Sequence, residues 1–248
     1  MKDRVDHLLV SRGLAKSGES ARSLVMAGVI FSGSRRLDKP GTKLSIDSPL
    51  EVRGKPFPWV SRGGLKLDHA LRHFKIKPKD THALDIGAST GGFTDVLLSH
   101  GAKCVYAVDV GHGQLDWKLR CDPRVVVLEK TNARHLSSHL VPELCDLVVC
   151  DTSFISLRTV LPAALVLAKP IAHLIALIKP QFEVKRGEVG RNGVVRDRDL
   201  HGRVCNEVVG WLDAQAGWKV IGITESPIIG PKGNREFLVA AKHCAEQR

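Results

Sequence analysis

The sequence predicts an α/β protein in which a doubly wound parallel sheet with an antiparallel last strand follows a small α+β domain. From residue 82 onward, β-like apolar runs alternate with helix-compatible stretches, which is typical of a parallel sheet covered by helices on both faces. The last two apolar runs, 218–224 and 237–241, are joined without an intervening helix, which favours an antiparallel pair. The first 58 residues differ, because their candidate elements are shorter and their positive charge is denser.

The composition indicates a globular chain with a hydrophobic core. Hydrophobic residues make up 43% of the 248 residues and charged residues 25%, which argues against a disordered or coiled-coil chain. The longest apolar stretch, 160–178, is interrupted by Lys169 and Pro170, so it lacks the roughly 20 consecutive apolar residues of a membrane span. Asp3 and Asp6 lie where a secretory signal would be purely basic. We therefore expect a cytoplasmic protein that is not integral to a membrane.

The cysteines predict neither a disulfide framework nor a metal site. No two of them form a Cys-x-x-Cys pair, and several lie in apolar, strand-like runs where a thiol serves as a small hydrophobic group. We expect reduced thiols and no structural zinc. The six residues are Cys104, Cys121, Cys145, Cys150, Cys205 and Cys244.

The net charge of +11 makes nucleic acid the first partner to consider. The excess is uneven, because residues 1–58 hold eleven Lys and Arg against six Asp and Glu, whereas the remaining 190 residues hold 26 against 20. Charge alone does not decide the matter, since a basic protein can simply be soluble.

Two short helices followed by short strands are predicted for the basic segment. The helical pattern of residues 5–10 stops at Gly13, and a second amphipathic run covers residues 18–27. The β-like pieces 29–31 and 43–46 are separated by turn-forming residues. The segment therefore reads as αα-β.

A linker at about residues 53–60 is predicted by its prolines, its glycine and its aromatic side chains. It divides the chain into a small domain of residues 1–58 and a second domain of residues 61–248. The strands of the second domain are predicted in five apolar runs, at 83–86, 104–108, 125–128, 146–150 and 173–178.

A glycine-rich turn joins the first of these strands to a helix that is predicted to start near Gly92. Glycines let a ligand approach the backbone closely, and ligands of such sheets bind beyond the carboxyl ends of the strands. Twenty-four residues after Asp85, Asp109 ends the next strand, where a carboxylate reaches ribose hydroxyls. A nucleoside-containing cofactor is therefore predicted. The candidate cofactor-binding residues of the turn are Asp85, Gly87, Ser89, Gly91, Gly92 and Phe93.

The spacing of the glycines favours S-adenosylmethionine over a dinucleotide. The pattern Gly-x-Gly-x-x-Gly is absent, and Asp-x-Gly-x-x-x-Gly-Gly is present instead. S-adenosylmethionine has no pyrophosphate and carries a cationic sulfonium, so acids at residues 85, 109 and 151 suit it better than they suit a dinucleotide. Asn132 is a candidate for the adenine edge, although an Asn in a loop could equally be a helix cap. A turn that merely packs a helix on a strand is the structural alternative.

Two lysines and two acids stand at the ends of apolar elements in the second domain. Lys66 opens an amphipathic helix, whereas Asp151 and Lys179 end the fourth and fifth strands. Glu236 lies just before the last strand. Ionisable groups at the carboxyl edge of such a sheet are candidate catalytic residues, and their burial requires partners. Taken singly, each of the four could also be a simple salt bridge.

Together these motifs resemble the TlyA-type relatives, historically labelled haemolysins, of the FtsJ ribose methyltransferases. The resemblance covers nearly the whole chain and is carried by residues 61–67, 85–94, 151, 179–183 and 233–237. It implies a Rossmann-like methyltransferase sheet and S-adenosylmethionine-dependent methylation of a ribose 2′-hydroxyl, with ribosomal RNA as substrate and a cytidine as the usual target. The Lys-Asp-Lys-Glu tetrad of that superfamily corresponds to Lys66, Asp151, Lys179 and Glu236.

Residues 4–52 are similar to a small RNA-binding domain named after a ribosomal protein of the small subunit. The chain departs from that domain at residues 17–19, which read Ser-Gly-Glu instead of Ser-Arg-Glu, and at residues 31–33, which read Phe-Ser-Gly instead of Val-Asn-Gly. Basic side chains there, at the linker and in a charged loop at 183–199 are candidate contacts to RNA phosphates. They are Arg4, Arg12, Lys16, Arg22, Arg35, Arg36, Arg62, Lys185, Arg186 and Arg191. The loop could also be a plain solvated surface.

Methyl transfer to a ribose hydroxyl needs in-line attack and removal of a poorly acidic proton. The positive charge of Lys66 would favour loss of a proton from Lys179, which would then act as a base or stabilise a developing alkoxide. Asp151 and Glu236 would orient the two amino groups.

Three other functions stay open at this point. A non-enzymatic RNA-binding or ribosome-assembly factor explains the charge but not the lysines and acids. A pore-forming haemolysin conflicts with the missing export signal and membrane span. A methyltransferase acting on a base, a protein or a small molecule would share the turn and Asp109 but would have no reason to keep two lysines.

Overall fold

The chain forms two compact units, Met1–Arg62 and Gly63–Arg248. The structure, a computed structural model, describes residues 2–15, 17–26, 28–53 and 57–244. Lys16 and residues 54–56 of the expected linker lie outside the described residues. The units divide after Arg62, two residues beyond the end of that linker.

The described part of the first unit contains two helices and five short strands. In chain order they are β1 (Lys2–Arg4), α1 (Val5–Ser11), α2 (Gly18–Met26), β2 (Ile30–Ser32), β3 (Arg35–Leu37), β4 (Lys43–Ser45) and β5 (Glu51–Val52). Strand β1 pairs antiparallel with β4, and β2 pairs antiparallel with both β3 and β5. This architecture confirms the predicted small α+β domain.

The helices of the first unit pack on each other and on the sheet through a small apolar core. Val5 and Leu9 of α1, Val25 of α2, Ile30 of β2 and Leu37 of β3 are buried in it. Strands β1, β3 and β5 have two or three residues each, which is too short to produce an alternating pattern that could be recognised in the sequence.

Strands and helices largely alternate in the second unit up to its last two strands, although only a 3₁₀ turn lies between β8 and β9. In chain order its elements are α3 (Gly63–Phe74), β6 (His82–Ile86), α4 (Gly92–Ser99), β7 (Cys104–Val108), α5 (Trp117–Arg120), β8 (Val125–Leu128), β9 (Cys145–Cys150), α6 (Leu157–Val160), α7 (Pro162–Leu165), β10 (Ala168–Ile178), α8 (Pro180–Glu183), α9 (Arg198–Asp213), β11 (Trp218–Glu225) and β12 (Phe237–Cys244). None of the helices in the described ranges is long and apolar enough to cross a membrane.

Seven strands form one sheet in the order β11-β12-β10-β9-β6-β7-β8. Strands β10, β9, β6, β7 and β8 run parallel, whereas β12 runs antiparallel to both β10 and β11. The strand order reverses between β6 and β9, and the carboxyl ends of the parallel strands meet at one edge. The doubly wound α/β fold with an antiparallel last strand is therefore confirmed.

Strand β10 is longer than the sequence predicts. It begins at Ala168, whereas the apolar pattern indicated a strand only from residue 173. Pro170 falls in a register shift against β9 between Ala168 and His173, where the missing N–H of a proline is tolerated. Ile171 then pairs with Cys244 of β12. The antiparallel strand β12 thus pairs with Ile171 and Ala172 of β10, which lie in the register shift against the parallel strand β9.

Helix α3 carries Lys66 on its buried face. Lys66, Leu67, Ala70 and Leu71 are all buried, and their spacing of three, four and five residues places them on one side of the helix. The amino group of Lys66 therefore extends from the face of α3 that packs on the unit rather than into solvent.

Candidate active site

The turn between β6 and α4 requires glycine at two positions. Gly87 has a φ of 82°, and a Cβ there would lie 3.0 Å from the backbone oxygen of Asp151. Gly91 has a φ of 94°, and a Cβ there would collide with the side chain of Leu119. Both conformations are strained for residues with a side chain. The turn consequently packs directly on the end of β9 and on α5.

Asp109, at the carboxyl end of β7, organises this turn. Its Oδ2 accepts a hydrogen bond from the backbone N–H of Ser89 at 2.8 Å, and its Oδ1 accepts one from Gly111 at 2.7 Å. Each carboxylate oxygen has a further lone pair, so Asp109 can also accept hydrogen bonds from hydroxyl groups of a ligand.

A cavity of about 550 Å³ lies beyond the carboxyl ends of β6, β7 and β9. We call it the cofactor cavity. The predicted cofactor-binding residues Gly87, Ser89, Asp109, Asn132 and Asp151 line it. Its apolar wall includes Ile86, Val108, Val110 and Ile155. A cavity of this size with a largely apolar lining and a few polar groups is typical of a cofactor site.

S-adenosylmethionine fits the groups present in this cavity. The apolar wall suits a purine ring, and Asp109 has free lone pairs for the ribose hydroxyls. The carboxylate of Asp151, which lines the cavity, would supply negative charge for a cationic sulfonium.

Asn132 caps the 3₁₀ turn Ala133–His135. Its Oδ1 accepts hydrogen bonds from the backbone N–H and the Nε of Arg134, at 3.1 and 3.2 Å. The cap was the structural alternative for this residue. Since Asn132 also lines the cofactor cavity, the structure shows the cap and leaves its amide nitrogen as the group for a ligand.

Four predicted cofactor residues, Asp85, Gly91, Gly92 and Phe93, are not among the described residues that line the cofactor cavity. Asp85 is fully buried in β6, and its Oδ2 accepts a 2.6 Å hydrogen bond from Oγ1 of Thr94 in α4. Burial raises the pKa of Asp85 to about 7, although the hydrogen bond from Thr94 opposes the rise. Asp85 therefore stabilises the turn from within the core, where it connects β6 to α4.

The structure brings Lys66, Asp151, Lys179 and Glu236 together. Asp151 bridges the two lysines, because its Oδ1 lies 2.6 Å from Nζ of Lys179 and its Oδ2 lies 3.4 Å from Nζ of Lys66. Glu236 Oε2 lies 2.8 Å from Nζ of Lys66. Nζ of Lys179 also donates a 2.9 Å hydrogen bond to Oγ of Ser153. We call these four residues the tetrad.

The sheet explains why residues so distant in sequence meet. Asp151 follows β9, and Lys179 follows β10, so both lie at the carboxyl edge of the parallel strands. Glu236 precedes β12, and because β12 runs antiparallel, its first residues lie at that same edge. Helix α3 contacts β11 and β12 and brings Lys66 to the cluster.

The tetrad combines two positive and two negative side chains in a largely buried place. The side chains of Lys66 and Lys179 are each 8% exposed, and that of Glu236 is 0% exposed. Burial disfavours the charged form of Asp151, but the positive charges of Lys66 and Lys179 outweigh it and hold the pKa of Asp151 below its usual value. Asp151 is therefore ionised at neutral pH and holds both amino groups in place.

A second cavity of about 300 Å³ adjoins the tetrad, and we call it the nucleoside cavity. Lys179 and Glu236 line it, whereas Asp151 lines the cofactor cavity. Ser153 and Phe154 line both. Two cavities that share a wall beside one buried amino group provide separate places for a donor and an acceptor of a transferred group.

Phe154 forms the exposed part of that shared wall. Its side chain is 90% exposed, its φ is 65°, and its ring centroid lies 5.0 Å from that of Phe182. A positive φ in a bulky residue is a strained conformation that is typical of functional sites. Phe154 is not among the residues that the sequence predicts for the site, although an aromatic residue three positions after the acid at a strand end was the available signal.

Helix α8 is fixed by a buried carboxylate. Oε2 of Glu183 accepts a 2.6 Å hydrogen bond from Oγ of Ser156, and Oε1 accepts a 2.7 Å hydrogen bond from the backbone N–H of Leu157. Burial raises the pKa of Glu183 above its usual value. Since Lys179 immediately precedes α8, this anchor also sets the position of the tetrad amino group.

The charged loop at 183–199 is ordered by the loop before β12. Oδ1 of Asn234 accepts a hydrogen bond from the N–H of Val195 at 3.1 Å, and its Nδ2 donates one to the carbonyl of Gly193 at 3.0 Å. Val194 and Val195 are buried, so a plain solvated loop is not what the structure shows. Lys185, Arg186 and Arg191 are exposed on it.

The basic side chains of the first unit fall into two groups. Arg4 makes two hydrogen bonds to the carboxylate of Asp6, and Arg12 donates to the backbone carbonyls of Ser48 and Ile46. These two arginines hold the unit together. Arg22, Arg35 and Arg36 are exposed and make no ion pair with the residues that the structure describes. Arg62 is half-buried.

Comparison with known proteins identifies the family. Residues 59–243 match the FtsJ-like methyltransferases. The chain belongs to this family. Membership confirms the resemblance predicted from the motifs, the methyltransferase activity, and S-adenosylmethionine as the methyl donor of this FtsJ-like methyltransferase.

Individual relatives of this FtsJ-like methyltransferase cover nearly its whole length. It is 48% identical over 239 residues to “Putative rRNA methyltransferase YqxC” of Bacillus subtilis (strain 168), with 96% of this chain and 85% of the relative covered. It is 48% identical over 237 residues to “16S/23S rRNA (cytidine-2'-O)-methyltransferase TlyA” of Mycobacterium tuberculosis, with 95% of this chain and 88% of the relative covered. Among solved structures, “Putative hemolysin from Streptococcus thermophilus” matches with a TM-score of 0.77 at 43% identity and covers 99% of this chain and 90% of that chain.

Proposed function

We propose that this methyltransferase transfers a methyl group from S-adenosylmethionine to the ribose 2′-hydroxyl of a cytidine in ribosomal RNA. The observation that carries the proposal is the position of the tetrad, whose Asp151 lines the cofactor cavity and whose Lys179 and Glu236 line the nucleoside cavity. Cytidine in ribosomal RNA is the substrate named for the Mycobacterium tuberculosis relative.

The two ends of the reaction would occupy the two cavities. Asp109 would hold the cofactor ribose, Asn132 the adenine edge, and Gly87 would let the cofactor approach the backbone. When bound, S-adenosylmethionine supplies an electrophilic methyl carbon attached to a cationic sulfur. The target ribose would enter the nucleoside cavity with its 2′-hydroxyl at Lys179.

Lys179 would accept the hydroxyl proton. In the neutral form that proton transfer requires, the amine of Lys179 has two N–H bonds and one lone pair, and the contacts to Asp151 and Ser153 use both N–H bonds. The lone pair is then left for the hydroxyl. As the hydroxyl oxygen is methylated, its proton would pass to Nζ of Lys179, which would end the step as an ammonium group beside Asp151.

Lys66 and Glu236 would act through Lys179. Lys66 lies 3.4 Å from the second oxygen of the Asp151 carboxylate that contacts Lys179, and Glu236 holds Lys66 in place with its 2.8 Å ion pair. In-line geometry would then depend on Asp151, which touches both lysines and stands at the wall of the cofactor cavity.

RNA would be bound by the small domain of residues 1–58 and by the exposed basic residues of the catalytic domain, residues 61–248. In the small domain, Arg22, Arg35 and Arg36 are the exposed arginines without an ion pair in the described residues, so they can reach phosphates. In the catalytic domain, Lys185, Arg186 and Arg191 lie on the loop that Asn234 orders. Phosphate contacts of this kind position RNA without selecting its sequence.

The test is to supply isolated ribosomal subunits and naked ribosomal RNA with S-adenosylmethionine labelled in its methyl group. We expect the label at one or a few cytidines as an alkali-resistant 2′-O-methyl group. Label in a base or in a ribosomal protein, or no label in either preparation, would contradict the proposal. The variant Lys179→Met is the matched control for transfer by a contaminating enzyme.

A further inference from the structure

One polar side chain of the nucleoside cavity has no part in the proposed reaction. Gln181 lines this cavity together with Lys179 and Phe182. Its Oε1 is buried and has no hydrogen-bond partner among the residues that the structure describes. A buried amide oxygen is normally paired, and an unpaired one in a cavity indicates a ligand that completes its hydrogen bonding.

The backbone of Gln181 is held rigidly next to the reacting group. Gln181 follows Pro180 at the start of α8, only two residues after Lys179. At the other end of α8, Glu183 bonds to Ser156 and to the backbone of Leu157. If the ribose hydroxyl lies at Lys179, the base of the same nucleotide would lie in the remainder of the cavity, which Gln181 also lines.

The unpaired Oε1 of Gln181 can distinguish cytosine from uracil. An amide oxygen only accepts hydrogen bonds, so it pairs with an amino group and is repelled by a carbonyl. At position 4 of the pyrimidine ring, cytosine carries an amino group, whereas uracil carries a carbonyl oxygen. The side chains of Phe154, Phe182 and Val189 line the same cavity and supply apolar surface for the rest of the base.

We propose that Oε1 of Gln181 accepts a hydrogen bond from the 4-amino group of the target cytosine, and that Gln181 thereby determines the base specificity of the enzyme. The inference rests on the proposed function, to which it adds the residue that recognises the base. Gln181 touches the substrate but takes no part in the transfer of the methyl group or of the proton.

The experiment compares two RNAs that differ by one amino group. At the cytidine found by methyl mapping, one RNA carries cytidine, and the other carries the pyrimidin-2-one riboside, which lacks only the 4-amino group. Single-turnover rates are measured with the wild type and with Gln181→Met, which keeps the length of the side chain and removes its polar atoms. We expect the wild type to methylate the cytidine RNA about 10- to 100-fold faster. Gln181→Met should methylate both RNAs at the same reduced rate.

The matched control is Gln215→Met, which changes a glutamine bonded to the backbone of Trp211 and remote from the described lining of either cavity. It should keep the wild-type preference. Equal rates of the wild type on the two RNAs would overturn the proposal, and this outcome does not depend on whether Gln181→Met folds. A preference that persists in Gln181→Met would overturn it as well. Failure of the proposed function is a different result, since no methyl group would then be found on the cytidine RNA.

Discussion

The hydroxyl of Thr94 donates a 2.6 Å hydrogen bond to the carboxyl group of Asp85 in the core of the second unit. The other carboxyl oxygen of Asp85 has no hydrogen-bond partner in the described part of the chain. Burial raises the pKa of Asp85 to about 7. The glycine turn at the cofactor cavity joins β6 to α4, and the carboxyl group that links these two elements changes its charge near neutral pH.

Asp85 should make the free energy of unfolding depend on pH. The folded chain keeps this proton up to about pH 7, whereas the unfolded chain releases it near pH 4. The folded state thus binds more protons in this window, so the contribution of Asp85 to stability is greatest below about pH 4 and is lost as the pH rises to about 7. We expect Asp85→Asn to remove up to about 4 kcal/mol of this pH dependence. Denaturation of both proteins in urea at pH 5 and pH 8 measures the part above pH 5, about 3 kcal/mol. An equal change in the free energy of unfolding of the two proteins between these pH values would contradict the assignment.

Replacement of Lys179 should abolish methyl transfer without abolishing cofactor binding. Lys179→Met removes the proposed proton acceptor, which is worth about 10²- to 10⁴-fold in rate, and leaves the lining of the cofactor cavity intact. Calorimetry with S-adenosylmethionine and a transfer assay measure the two properties. Lys179→Arg keeps a positive charge but cannot accept a proton at neutral pH. Near-normal turnover of the arginine variant would show that the charge alone is required.

Loss of the carboxylate of Glu183 should weaken both stability and turnover. Glu183→Ala leaves Ser156 and the N–H of Leu157 without their acceptor, at a cost of about 1–3 kcal/mol in the free energy of unfolding. Because α8 then loses its anchor beside Lys179, kcat should fall more than cofactor affinity. Glu188→Ala is the control, since Glu188 pairs with Arg203 near the surface and should matter by less than about 1 kcal/mol.

Truncation of Phe154 should reduce methylation and leave stability unchanged. The ring is 90% exposed, so it contributes little to the core, whereas stacking of a base on an aromatic ring is worth about 1–3 kcal/mol. We expect Phe154→Ala to lower kcat/KM for RNA about 10- to 100-fold, with the same Tm as the wild type. Trp117→Ala removes another side chain of the second unit that is 74% exposed and does not line either cavity. Equal losses in both variants would argue against a specific role for Phe154.

The double variant Arg35→Ala, Arg36→Ala should weaken RNA binding and its dependence on salt. If each arginine neutralises one phosphate, the slope of log affinity against log salt should decrease by about 0.7–0.9 per residue. Arg12→Ala provides the contrast. It breaks hydrogen bonds to the carbonyls of Ser48 and Ile46, so it should destabilise the first unit and leave the salt slope unchanged. Filter binding at several salt concentrations measures the slope.

The sequence predicts those site residues that stand at the end of a regular element. Asp109 and Asp151 follow apolar strands, and the topology of a doubly wound sheet then requires them to meet at one edge. Lys66 opens a helix and Glu236 precedes a strand, so their positions made them candidates, but only the motif of the tetrad as a whole grouped them with Asp151 and Lys179. A motif can therefore assign residues that periodicity alone cannot.

Other features depend on tertiary contacts that no local pattern contains. Asp85 has the position of a cofactor ligand, yet its side chain points into the core, where Thr94 pairs with it. Arg4 and Arg12 look like phosphate contacts, yet Asp6 and backbone carbonyls already use their guanidinium groups. Gln181 lies within a motif of the family, yet the sequence assigns it no role, because only the packing around it leaves its oxygen unpaired.

Because β12 runs antiparallel to β10, only its first residues lie at the edge of the sheet that carries the tetrad. The strand begins beside Glu236 and runs for eight residues to Cys244, so its far end lies about 25 Å from the tetrad edge. The thiol of Cys244 is exposed and unpaired. A fluorescent dye coupled to this thiol would report on tumbling and on encounter with large ribonucleoprotein particles without blocking either cavity.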